Sequence, residues 1–158
     1  VNCFYVMYKI PVSVLVVIHT TDLQVLLLER TDHPGYWQSV TGSQNPGETL
    51  YQTAIREVSE ETGLNAANYS LTDWQVENQY EIYEEWRWRY APDVKINTEH
   101  VFGLCLPGIM PIKIAVREHL NYIWLPWQQA AEKVFSRSNA DAILEISGLA
   151  DCDPPDEK

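Results

Sequence analysis

Residues 42–64 read GSQNPGETLYQTAIREVSEETGL. The run opens as a loop and continues as a helix. Gly42 and Gly47 permit backbone shapes that other residues resist, and Pro46 lies between them. Glu48 and Thr49 supply helix-start chemistry, and Leu50, Ala54, Ile55 and Val58 form one apolar helical stripe. Gly63 stands where a left-handed cap ends such a helix. On this helix Glu57, Glu60 and Glu61 fall at i, i+3 and i+4, so their carboxylates project from a sector about 100° wide. Like charges so placed repel by a few tenths of a kcal/mol per pair on an exposed helix, and by more when partly buried. The arrangement suits hard divalent cations, because Mg²⁺ prefers oxygen ligands and bridges carboxylates to substrate phosphates. Arg56 is placed to steady one of these carboxylates through a forked ion pair.

The elements on either side predict a sheet. Residues 12–18 are a β-branched run in which Val12, Val14, Val16 and Ile18 alternate with Ser13, Leu15 and Val17, as expected of a strand covered on both faces. Residues 25–28 form its hairpin partner across a turn at 20–23, and residues 37–40 form a short strand after a loop at 31–35. Residues 69–106 are strand-rich with a break at 91–93, and alternation over 80–90 puts Tyr80, Ile82, Trp86, Trp88 and Tyr90 on one face. A further strand is expected at 122–125. Pro126 suits the first turn of a helix running to Val134, and residues 139–146 have the spacing of a last helix. Strands with interspersed helices predict a mixed sheet with helices packed on it, an α/β or α+β architecture.

The chain has 158 residues, the size of one domain with a substantial core. Residues 1–150 are expected to form that unit and residues 151–158 an acidic, frayed tail. No apolar run approaches the roughly 20 residues a membrane helix needs. Residues 1–7 are apolar but lack a basic leader and a small-residue cleavage site, so cytoplasmic residence is the expectation. Cys3, Cys105 and Cys152 show no paired spacing, which argues against a disulfide framework and against a zinc site. The net charge of −11 repels nucleic-acid polymers and anionic lipid. A phosphorylated substrate therefore needs a cation between itself and the protein carboxylates.

A bare E-x-x-E-E is more often an acidic surface helix than a metal site. The full pattern is different, since seven fixed identities with two aliphatic positions arise by chance on the order of 10⁻⁹ times per starting position. Residues 42–64 resemble the box of the Nudix family, G-x5-E-x7-R-E-U-x-E-E-x-G-U, at every specified position, and the flanking strand order extends the resemblance over about residues 9–147. The resemblance implies an α/β/α sandwich whose loop-helix-loop holds Mg²⁺, with Mn²⁺ as substitute, and an attack of activated water on phosphorus. Glu57, Glu60 and Glu61 would bind or bridge metal, Arg56 would orient Glu57, and Glu48 and Gly63 would support the loop-helix-loop. Such enzymes often recruit an acidic residue from outside the box, and Glu118, just ahead of the strand at 122–125, is the candidate for both metal binding and catalysis. His119 beside it reads as structural.

Residues 37–43 (WQSVTGS) replace the Pro-Gly-Gly that enters many Nudix boxes. With residues 89–92, 97–99, 118–120 and 138–139 they resemble a bacterial Nudix subgroup acting on a pterin triphosphate. The implied reaction removes pyrophosphate from 7,8-dihydroneopterin 3′-triphosphate and leaves a monophosphate for folate synthesis. A broad (deoxy)nucleoside triphosphate pyrophosphohydrolase is the alternative, and a non-catalytic sensing domain is disfavoured by the intact box. Lys9 and Arg30, at the edges of the first two strands, are candidate phosphate contacts. The resemblance adds Thr41, Ser136 and the segment Tyr80, Glu81, Ile82 and Tyr83 as ligand contacts, with Asn139 as a secondary candidate.

Overall fold

The structure, a computed structural model, describes residues 7–149 and Cys152. Seven strands form one sheet: β1 (Val12–Thr20), β2 (Gln24–Arg30), β3 (Trp37–Gln38), β4 (Val40–Ser43), β5 (Ser70–Glu81), β6 (Ile96–Leu106) and β7 (His119–Pro126). The helices are α1 (Leu50–Thr62), α2 (Trp127–Lys133), α3 (Arg137–Leu144) and α4 (Ile146–Leu149), with 3₁₀ turns at Ala66–Asn68 and Glu84–Arg89. The main path runs β3-β2-β1-β6-β5, while β4 pairs with β1 and β7 with β2. β1 and β6 are parallel and the other pairings antiparallel, so the sheet is mixed.

β1 is central because its side chains are apolar on both faces. Val14, Val16 and Ile18 pack with Ala54 and Val58 of α1, whereas Leu15 and Val17 pack with Ala130, Ala142, Ile143 and Ile146 of the C-terminal helices. Helices thus cover both faces of the sheet, which is the expected α/β/α sandwich. The start of α1 is fixed by Thr49, whose hydroxyl accepts from the Gln52 N–H at 3.1 Å while the Gln52 side chain accepts from the Thr49 N–H at 2.9 Å. Gly63 ends it at φ +75°, its N–H donating to the Ser59 carbonyl.

Three expectations need correction. Residues 37–40 divide into β3, which pairs with β2, and β4, which pairs with β1. Residues 80–90 do not continue as a strand: β5 ends at Glu81 and Glu84–Arg89 forms a 3₁₀ turn, so the alternating aromatic face does not exist. Ile82 is buried there, whereas Trp88 is 74% exposed. Alternation in so aromatic a stretch also fits a turn that lays its rings over a cleft. Cys105 and Cys152 form a disulfide across 47 residues, because the chain after α4 returns to the end of β6, a proximity that spacing does not encode. Cys3 and the rest of the expected tail lie outside the described residues.

Candidate functional site

α1 and the loop ahead of it build the acidic centre. The Arg56 guanidinium makes its fork to Glu48, from Nε to Oε2 at 2.7 Å and from Nη2 to Oε1 at 2.9 Å, rather than to a carboxylate of the E-x-x-E-E face. Its Nη1 donates to Glu57 at 2.7 Å and to Glu60 at 3.3 Å, and its Nη2 also reaches the Ser43 carbonyl at 2.9 Å. Glu48 accepts in addition from the Asn45 N–H and the Thr53 hydroxyl, and Arg56 before all others holds its carboxyl down to about 2. Arg56 therefore locks the 43–48 loop to the helix and steers Glu57 with its remaining donor.

Gly42 explains why Glu57 can reach the centre. A Cβ at Gly42 would lie 2.0 Å from the Glu57 carboxyl carbon, so only hydrogen leaves room. Gly42→Ala is expected to displace Glu57 and raise the divalent-ion concentration for half-maximal activity by about tenfold, a coupling typical of groups that orient ligands. A metal titration checks this, with the unfolding midpoint as control.

Glu61 is only 2% exposed and its Oε2 has no hydrogen-bond partner. Burial, and after it the charges of Glu57 and Glu118, push its pKa well above the ordinary range. Burial likewise pushes Glu57 up to about 7 against the opposing pull of Arg56. Glu60 is half exposed at the cleft. Glu118 stands directly ahead of β7 and is brought to the same place: ligand atoms of Glu61, Glu118 and His119 lie within 4.8 Å of one another. His119 Nε2 is 3.5 Å from Glu61 Oε1, an ion-pair distance, but burial and then the charge of Arg30 hold its pKa down to about 4. The imidazole is thus neutral at pH 7 and the contact is not an ion pair. Paired acidic groups pushed upward, an unpartnered buried carboxylate oxygen and an oxygen-rich donor set fit a divalent cation.

These groups open into a cleft of about 920 Å³ whose lining includes Lys9, Arg30, Thr41, Glu57, Glu60, Glu61 and Glu118. Tyr80, Glu81, Ile82, Tyr83, Ser136 and Asn139 line it as well, so the candidate contact residues share one cleft. Several are already engaged. Arg30 forks to Asp32 at 2.7 Å through Nε and Nη2, donates to Gln38 Oε1 at 3.0 Å, and lies 4.5 Å over Trp86. The Thr41 hydroxyl donates to the Val14 carbonyl, and its backbone N–H supports Glu61. Ser136 caps α3 by accepting from the Asn139 N–H at 3.2 Å, while Asn139 clamps Ser39 at 2.8 and 2.9 Å. Glu81 is exposed and paired with Arg87 at 2.5 Å.

Sequence reasoning missed part of the wall. Arg89 sits 3.6 Å from Asp32 and adds a cation beside Arg30, and Trp86 and Phe135 form an aromatic side with Tyr83. The signal for Trp86 and Arg89 was present in residues 80–90 but was assigned to a strand. Phe135 gave no signal, because it reaches the cleft only through the α2–α3 turn.

The chain belongs to the Nudix family: the NUDIX domain model matches residues 9–145. Among its relatives, the dihydroneopterin triphosphate diphosphatase of Escherichia coli (strain K12) is 47% identical over 142 residues, covering 88% of this chain and 93% of that one. The dihydroneopterin triphosphate diphosphatase of Haemophilus influenzae is 42% identical over 139 residues, covering 86% and 87%. The solved structure of the E. coli dihydroneopterin triphosphate pyrophosphohydrolase superposes with a TM-score of 0.84 at 46% identity, over 91% of this chain and 99% of that one. A NUDIX hydrolase structure from Listeria monocytogenes, 22% identical with a TM-score of 0.74, shares the fold.

Proposed function

We infer that this chain hydrolyses 7,8-dihydroneopterin 3′-triphosphate to the monophosphate and pyrophosphate. The observation that carries the reading is likeness along nearly the whole chain to enzymes of that name, 47% identity over 88% of it. Mg²⁺ is the proposed cation, since Glu57, Glu60, Glu61 and Glu118 offer hard oxygen ligands and the substrate phosphates supply more. When bound, the metal polarises phosphoryl oxygens, acidifies water and neutralises developing charge.

The chain's own residues do the rest. Arg56 holds Glu57 in place, and the Thr41 N–H holds Glu61. Glu118 comes from the turn ahead of β7, so it can add an oxygen ligand that α1 does not itself supply. Lys9, Arg30 and Arg89 set positive charge at the rim, where an overall charge of −11 would otherwise repel a triphosphate. The aromatic side made by Tyr83, Trp86 and Phe135 is suited to a flat ring. Among the described residues no helix is long and apolar enough to cross a membrane.

Pyrophosphate release from dihydroneopterin triphosphate, followed with and without Mg²⁺, tests the reading. Turnover is expected with Mg²⁺ and is expected to vanish in excess chelator. Turnover that persists in chelator would overturn the metal assignment.

A further inference from the structure

The cleft has a polar floor that the acidic centre does not use. Asn97 and Glu99 stand at i and i+2 on β6, so both side chains leave the same face of the sheet. Asn97 lies opposite Tyr80 of β5, and Glu99 lies between Asn78 of β5 and Ser13 of β1. Both residues line the cleft although they are only 1% and 4% exposed. Asn97 Nδ2 donates to Ser13 Oγ at 2.7 Å and to Tyr80 Oη at 3.1 Å. In this orientation both amide hydrogens are used. Its Oδ1 is left as a buried acceptor without a partner. Glu99 takes only a long contact from Asn78 Nδ2 at 3.5 Å and a hydrogen bond from Ser138, and among the described residues no ion pair holds it. A carboxylate has about four acceptor sites, so capacity remains. Buried acceptors are ordinarily satisfied, and two under-used ones side by side at the bottom of a cleft point to a donor that comes with the ligand.

We propose that Asn97 and Glu99 form the subsite that reads the substrate's heterocycle, accepting hydrogen bonds from the exocyclic amine and adjacent ring N–H of a 2-amino-4-oxopyrimidine edge. The inference deepens the proposed function and rests on it for the ligand class. Dihydropterin and guanine carry this edge. Adenine does not: it would turn a ring-nitrogen lone pair toward the carboxylate, a repulsive match. Hypoxanthine keeps the ring N–H but lacks the amine. Tyr80 then acts as a positioning residue, its hydroxyl fixing the Asn97 amide.

The test compares kcat/KM for dGTP and dITP, which differ only in the 2-amino group, under saturating Mg²⁺. The wild-type chain is expected to prefer dGTP by roughly 10- to 100-fold, the range for one hydrogen bond to a charged acceptor. In Glu99→Gln, where a donor replaces one acceptor oxygen, the ratio is expected to fall by about tenfold or more. Asn97→Asp should keep the preference, because the Ser13 and Tyr80 hydroxyls can reverse and donate, whereas Asn97→Leu should lower it. A wild-type ratio near one overturns the proposal without any variant, and so does an unchanged ratio in folded Glu99→Gln. The ratio does not depend on whether dihydroneopterin triphosphate is the preferred substrate. Poor turnover of that compound with an intact dGTP preference would therefore sink the substrate reading and leave the subsite standing.

Discussion

Glu61→Gln is expected to lower kcat by at least 10²-fold while leaving the unfolding midpoint of the metal-free protein nearly unchanged. The side chain is 2% exposed, its Oε2 is unpartnered, and it faces Glu57 and Glu118. In the metal-free fold the ionised form is disfavoured by burial and by those two charges, so a neutral amide of the same shape does not worsen the packing. With metal bound the position reverses, because a cation favours a charged oxygen ligand and an amide is a poor substitute. The loss should therefore fall on turnover and metal affinity together. Normal kcat in Glu61→Gln would contradict the placement of the metal on α1.

Glu118→Gln is expected to lower kcat by about 10²-fold or more, the scale on which positioned acid–base and ligand groups contribute. α1 presents its carboxylates from one side, and an ion with about six oxygen ligands needs partners from elsewhere. Glu118 is placed to meet that need, since its carboxylate clusters with Glu61 and His119 within 4.8 Å although 57 positions separate it from Glu61 in the sequence. The Glu118 carbonyl accepts from the Thr31 N–H at 2.9 Å, which ties this turn to the end of β2. A rise in KM alone would reassign Glu118 to substrate positioning. Unchanged kcat and unchanged metal dependence would remove it from the site.

The acidic centre was legible because helical periodicity converts spacing into direction: residues 57, 60 and 61 share a face whatever the rest of the fold does. The double-sided burial of β1 was legible for a similar reason, since an apolar residue at every position leaves no face for solvent. What spacing cannot encode is contact between distant segments. The fork of Arg56 went to Glu48 because the loop folds back over the helix start, and the Cys105–Cys152 bridge depends on where the chain goes after α4. Residues 80–90 misled because aromatic alternation is common to strands and to turns whose rings cover a cleft. Residues 97–99 carried part of the subgroup resemblance, but their spacing in the sequence gives Asn97 and Glu99 no role. Only the sheet register, which sets them against Ser13, Tyr80 and Asn78, reveals an unpartnered Asn97 oxygen beside a Glu99 carboxylate with acceptor capacity to spare.

A cleft built for a pterin triphosphate should favour that substrate in turnover. This is tested most directly by measuring kcat/KM side by side on dihydroneopterin triphosphate, dATP and dGTP at saturating Mg²⁺. A preference for dihydroneopterin triphosphate over both nucleotides of roughly tenfold or more is expected, a discrimination of only ~1.4 kcal/mol. Equal efficiencies on all three would contradict it and identify a general nucleoside triphosphate pyrophosphohydrolase instead.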